Sequence, residues 1–480
     1  MTVTAETAPP RPAARRLPLA AAGRLLRLEL RRNAMLWLLP AVGVLFWYLA
    51  YRRTMALPPM WNVRAMSMQG TAIAVFIPTV VGAAAWTASR EAGRGLTELL
   101  GATPRPRWAR QLVAWAATTG WALAGYLVCV GALYAITARQ AAWGGPLWWP
   151  AAIGAASLPA LSALGFAAGA LLPSRFTPPM VAVGTFVLFE ASLQLIHGAD
   201  SAWQVSPLVA GPWQLGNSEG LATFYRYLPD LPIAQLIFLV GLTAALLGVL
   251  GLPADAGGRW LRGSASALTA AGILAAGGAA TLAGTGRLDP HGMIAIPALH
   301  DGADDRPVPY TPMCSPAAVP VCLHPAYAAY LPAVTGALAP VLDEVAGLPG
   351  APTRIDQAAT MYRERGGGID VDGPTGAANG VYRIVLPNQL PGPNMTIAES
   401  ADTVRTNTGS DIVASVVGTG SDAQRAVTAA ILGASDGASG SAVGLAAQRF
   451  SALPDTARHA WLAAHVTDLR AGRITLEQLP

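Results

Sequence analysis

Seven charge-poor apolar runs fill the first 286 residues: Ala34–Tyr51, Gly70–Ser89, Gln111–Ala138, Pro150–Leu172, Phe176–Ile196, Leu231–Leu252 and Gly263–Gly286. A bilayer core of about 30 Å takes roughly 20 apolar residues as helix, so each run is long enough to cross it. Core helices of globular domains are shorter and keep a polar face, which these runs mostly lack. The predicted architecture is an all-α polytopic bundle over 34–286. A cytoplasmic tail and amphipathic helix (1–33) precede it, and an α+β extracytoplasmic domain (287–480) follows.

Charge divides the chain at the same place. Residues 1–286 carry 20 Arg and 9 acidic residues, and residues 287–480 carry 12 Arg and 18 acidic residues. The basic excess therefore flanks the apolar runs and gives no reason to expect nucleic acid. Fifteen of the first 20 arginines fall on alternate connections that include the N-terminus, and five fall on the others. The positive-inside bias then puts the N-terminus in the cytoplasm of a multi-pass plasma-membrane protein. Seven crossings leave the C-terminal domain outside. The first run is too long for a cleavable signal peptide and lacks a small-residue cleavage pattern. Thirteen of 14 tryptophans lie in residues 1–286, many at run ends, where indoles sit among lipid headgroups.

The chain contains no lysine. A Walker A loop and Schiff-base catalysis both require one, so neither chemistry resides here. Heavy use of Ala, Gly, Arg and Pro resembles a GC-rich, actinobacterial coding style.

The stretch 19–33 fits an amphipathic helix, with Ala21, Leu25 and Leu28 on one face and Arg24, Arg27 and Arg31 beside them. Residues 197–229 hold Trp203, Trp213, Phe224, Tyr225 and Tyr227, a density that predicts interfacial or re-entrant short helices. Glu190 is placed near mid-bilayer, with Gln194 and His197 following at i+4 and i+7 on one polar stripe. It reads either as a pathway-lining acid or as a neutral carboxyl hydrogen-bonded across the bundle.

In the C-terminal domain, Tyr327–Ala346 predicts a helix buried through Leu331, Val334, Leu338, Leu342 and Val345. Val381–Leu386 and Ile412–Val417 are predicted strands. Ser421 and Gln424 predict a capping box opening a helix through Leu432, and two more helices are expected at Ala442–Ala452 and Thr456–Ala471. Cys314 and Cys322, eight apart, read as a disulfide on an oxidising face. The alternative makes Cys314, Cys322 and His324 metal ligands without a clear fourth. No HExxH, GxSxG or CxxC is present, and His459 and His465 lie six apart, a poor spacing for a helical metal pair. A non-catalytic domain without a metal is expected.

The segment Arg90–Arg110, REAGRGLTELLGATPRPRWAR, is the most specific local pattern. With the amphipathic helix before it and the aromatic outer segment after run five, it resembles the permease subunits of ABC-2-type transporters over roughly residues 19–252. That resemblance implies an exporter-like permease driven by a separate ABC ATPase that docks on Arg90, Glu91, Arg94 and Glu98. It implies no cofactor in this chain, ATP–Mg on the ATPase partner, and a second permease protomer in a homo- or heterodimer within membrane lipid. It also implies an outer gate in 197–229. The seventh run and the outer domain depart from the usual six-span plan of that family. The rival reading is a membrane-anchored extracytoplasmic enzyme or sensor.

Overall fold

A computed structural model describes residues 19–93, 107–211, 222–252, 259–365, 368–372, 376–386, 397–433 and 441–480. Among the described residues eight helices make up the N-terminal bundle. They are α1 (Leu19–Arg32), α2 (Ala34–Met55), α3 (Trp61–Gly93), α4 (Arg107–Gln140), α5 (Trp148–Leu171), α6 (Thr177–Leu193), α7 (Asp230–Gly251) and α8 (Arg259–Ala283). Seven helices among the described residues are long and apolar enough to cross a membrane, by length and composition. The chain is therefore compatible with a multi-pass membrane protein.

Those seven differ from the sequence expectation at one position. The fifth run becomes α6, whose 17 residues rise only about 25 Å. In its place, Pro325–Val345 reaches the required length and hydropathy. That segment packs Val334, Leu338, Val341 and Val345 into the core of the C-terminal region. Composition alone does not separate a span from a buried helix of a soluble domain.

Small residues set the helix contacts. α3 lies against α5 at Gly165 and Gly169, where a Cβ would run into the backbone of Val81 and Ala85. α7 lies against α8 in the same way: a Cβ on Gly241 would meet Ala276 N at 2.7 Å and Gly272 O at 2.8 Å. Close backbone approach of this kind holds helices together where apolar surroundings remove the hydrophobic drive. The Ala/Gly-rich seventh run is thereby a packing surface for α7. Its long, apolar helix is one of the seven above.

α1 packs less simply than its sequence predicts. Leu30 approaches α4, where Trp121 Nε1 donates to Leu30 O at 2.8 Å. Leu28, expected on the apolar face, is 45% exposed beside exposed Arg24, Arg27 and Arg31. Asn33 then caps α2, accepting from Met35 N–H at 2.9 Å while its amide donates to Thr118 Oγ1 at 2.9 Å.

The C-terminal region begins with a small antiparallel pair, β1 (Arg287–Leu288) and β2 (Ile294–Ala295). Its main sheet contains β3 (Met313–Cys314), β4 (Val321–Leu323), β5 (Arg354–Gln357), β8 (Gly376–Ala378) and β9 (Val381–Ile384), in the order β3-β4-β5-β9-β8. The β4–β5 and β5–β9 pairs are parallel and the edges antiparallel. A separate hairpin joins β6 (Met361–Arg365) to β7 (Gly368–Asp372). The helices are α9 (Leu331–Val345), α10 (Ile397–Val417), α11 (Asp422–Leu432), α12 (Ala442–Ser451) and α13 (Asp455–Arg470).

Ile412–Val417, expected as a strand, is the last part of α10. Ile412, Val413, Val416 and Val417 recur at i, i+1, i+4 and i+5, and all four are fully buried. That is helical spacing, which β-branched composition disguised. The capping box at Ser421 forms as expected: Ser421 Oγ accepts from Gln424 N–H at 3.2 Å, and Gln424 Oε1 accepts from Ser421 N–H at 2.8 Å. Glu344 on α9 accepts a bidentate pair from Arg458 on α13 at 2.7 and 2.8 Å. Met60 and Val63, at the start of α3, join the same apolar core as the sheet, so this region sits directly on one end of the bundle.

Candidate functional site

The bundle has two chemically distinct ends. One carries Arg32, Arg90 and Arg107 and is the arginine end; the other carries the sheet region and is the domain end. α6 runs between them, with Pro178 near Arg32 and Arg90, and Ser192 near Trp203.

At the domain end the chain after α6 turns back into the bundle. A short 3-10 turn, Ala202–Val205, exposed at Ala202 and Trp203 and buried at Gln204 and Val205, leads into the buried stretch Ser206–Val209. Inserted backbone must find hydrogen-bond partners, because there is no water to supply them. Two glutamines provide them. Gln235 on α7 donates from Nε2 to Gln204 O (3.0 Å), Ser206 O (2.9 Å) and Val209 O (2.8 Å). Gln69 on α3 donates to Pro207 O (3.0 Å) and Val209 O (2.7 Å). Gly70 lets Leu208 approach: a Cβ there would lie 2.9 Å from Leu208 O. Of the interfacial or re-entrant short helices expected here, the described residues show one 3-10 turn followed by buried backbone that fills the space between α3 and α7. Residues 212–221, the centre of the predicted outer segment, lie outside the described residues.

Further polar groups gather at the domain end. Arg64, buried within α3, donates to Gln140 Oε1 at 2.7 Å and Leu57 O at 3.3 Å. Asn62 donates to Thr223 Oγ1 at 3.0 Å. Asp230, in the first turn of α7, accepts from Ile296 N–H at 2.8 Å and faces His300 at 3.3 Å, while His300 reaches Asp305 at 3.2 Å on its other side. Burial alone would lower the His300 pKa, but the hydrogen bond and charge of Asp305, with Asp230 behind them, raise it.

His324 forms the second joint. Its ring is fully buried among Tyr310 (4.2 Å between centroids), Trp143 (4.4 Å) and Phe224 (4.9 Å). Trp143 belongs to the α4–α5 connection and Phe224 to the approach to α7, so one ring ties both to the sheet region. Nδ1 accepts from Ala326 N–H at 3.1 Å, and Nε2 meets no acceptor. Burial without a counter-charge pushes its pKa down to about 4. Sequence reading offered His324, next to Pro325, either as a metal ligand or as a ring buried beside the disulfide; nothing local signalled the three rings, which come from distant segments.

The sequence-selected residues are distributed as follows. Cys314 and Cys322 are register partners of β3 and β4 and are joined as a disulfide. Among the described residues no group of His, Cys, Asp and Glu converges as a metal site would. Glu190 sits in the last turn of α6 rather than mid-helix, because α6 ends at Leu193. Gln194 and His197 lie beyond the helix end, so the expected i, i+4, i+7 helical stripe does not form, and all three side chains are exposed. Neither the pathway-lining nor the cross-bundle placement of Glu190 is seen within this chain. Arg90 lies near the end of α3 and pairs with Glu29 of α1 at 3.1 Å. The Glu91 side chain, Arg94 and Glu98 lie outside the described residues.

No family model, curated protein or solved structure matches the chain.

Proposed function

We propose that this chain is the permease subunit of an ABC-2-type exporter, with its arginine end in the cytoplasm of the plasma membrane and its sheet region outside. A separate ABC ATPase grips the α3–α4 connection. The observation that carries this reading is the asymmetry of the bundle. At its domain end an inserted segment is held between α3 and α7 through two glutamines, whereas its arginine end presents a cleft lined by Arg32 and by Arg90 near the end of α3. An inserted segment at one end and an arginine-lined cleft at the other suit alternating access better than anchoring, which needs neither. The Glu29–Arg90 pair supports the reading too, because it links α1 to the helix whose end would take the push of a motor. Two protomers would assemble with two ATPases, and ATP–Mg would bind only on the latter.

The test is co-expression of the full chain with the P-loop ATPase encoded nearest to it, followed by purification and ATPase assay. The expected result is a complex that hydrolyses ATP and is lost when Glu91 and Glu98 are both reversed to arginine. A full chain that purifies without ATPase, and whose outer region alone carries an activity, would overturn the reading.

A further inference from the structure

Between α2, α3 and α6 at the arginine end lies an open cleft of about 560 Å³. Arg32 and Arg90 stand at its mouth, although 58 positions separate them in sequence. Trp37 and Leu38 on α2 and Trp86 on α3 line its sides, with Ala182 of α6 in its wall. Trp37 is 77% exposed and Trp86 is 54% exposed. Two exposed indoles beside two arginines are the side chains that suit the headgroup level of a leaflet. The cleft therefore begins at the polar boundary and continues along the hydrocarbon.

Its charge is unbalanced. Arg32 is exposed and takes part in no ion pair among the described residues. Among the described residues Arg90 pairs with Glu29 alone, and that pair leaves both side chains about 30% exposed. An exposed pair of this kind contributes at most about 1 kcal/mol, so a competing anion can take the guanidinium. A phosphate diester does so with two charge-assisted hydrogen bonds in a matching plane. Arg24, Arg27 and Arg31 on the open face of α1 add positive potential alongside.

We propose that this cleft is a binding site for an anionic phospholipid of the adjacent leaflet. The phosphate sits between Arg32 and Arg90, and an acyl chain lies along Trp37, Leu38 and Trp86. Charge complementarity at the mouth selects the headgroup, and the apolar walls exclude a bare phosphate as the preferred occupant. The inference does not rest on the transporter reading, because it holds for either orientation of the bundle.

The test is native mass spectrometry of the full chain in detergent with equimolar phosphatidylglycerol and phosphatidylcholine. Wild type should retain phosphatidylglycerol on the order of tenfold over phosphatidylcholine. Arg32→Gln with Arg90→Gln should bring the two lipids near parity, and Arg32→Gln alone, at an exposed position, should remove part of the preference with the melting temperature unchanged. Trp37→Ala should weaken both lipids a fewfold and leave the ratio intact. Arg139→Gln at the domain end should change nothing. Equal retention in wild type would overturn the proposal. So would a preference lost with Arg24→Gln and Arg27→Gln but kept in the cleft variants. Full displacement by millimolar inorganic phosphate would assign the arginines to a free anion instead and overturn it as well.

Discussion

At the domain end, side chains that enter the bundle meet specific partners. Gln69 and Gln235 cap four inserted carbonyls, Asn62 holds Thr223, Arg64 holds Gln140, and Asp230 holds Ile296. At the arginine end, Arg32 has no ion-pair partner among the described residues and Arg90 has one replaceable partner. The first arrangement fixes one conformation, since every loss leaves a buried group unsatisfied. The second leaves charge ready for an external anion or protein. Rigidity and availability are thus separated along one bundle, and each end can be attacked independently.

The largest expected effect is at the inserted segment. Gln69→Ala with Gln235→Ala removes four amide N–H donors that serve five contacts to buried carbonyls, and should cost roughly 3–4 kcal/mol, at about 1 kcal/mol per donor. Hydrogen exchange over 202–209 should rise strongly while the α7–α8 contact stays protected. Equal protection in the variant would show that packing around Leu208 holds the segment without the glutamines.

The two histidine joints sharpen the contrast through opposite pH dependence. His324 is held neutral, with its pKa pushed down to about 4 from 6.5. The unfolded chain therefore binds the extra proton first, and stability falls as pH drops through that window, by on the order of 3 kcal/mol. His324→Phe should flatten this acid loss. His300 has a raised pKa, so its stabilising charge is fully present below the unfolded value and is lost as pH rises through the raised one. His300→Gln should remove that alkaline-side loss and leave the acid limb untouched. Melting temperature against pH for the two variants checks both signs.

Smaller effects follow. Opening the Cys314–Cys322 loop with paired serines should cost about 2–3 kcal/mol from the loop length alone. The change should show in the melting of the sheet region and not in the helical bundle. At the arginine end, Glu29→Gln should alter stability by less than about 1 kcal/mol, within reach of a careful melting curve. A large loss there would mean that α1 is a structural strap and that the two ends are alike.

Much of this was legible in advance where a periodic pattern and a local signal coincide. The apolar runs located the bundle helices, Ser421 with Gln424 located α11, and Val334, Leu338 and Val345 located α9. The shortening of α6 was hidden because apolar residues continue to Ile196 after the helix has ended. Ile412–Val417 misled because its β-branched residues are equally compatible with a buried helix face. Strands β4 and β5 and the β6–β7 hairpin are too short or too polar to show a period. Neither the His324 joint nor the arginine cleft could be read, since each gathers residues from three or more elements. Only packing brings Arg32 to Arg90, or Trp143 to His324.

The central claim is that the arginine end and the sheet region lie on opposite faces of a membrane. Gly23→Cys on α1, where an added Cβ meets nothing within 4 Å, and Ser451→Cys at the exposed last residue of α12 give one probe for each. Labelling intact cells with an impermeant maleimide should modify the Ser451→Cys protein directly, and the Gly23→Cys protein only after permeabilisation. Modification of both from the same side would contradict the account.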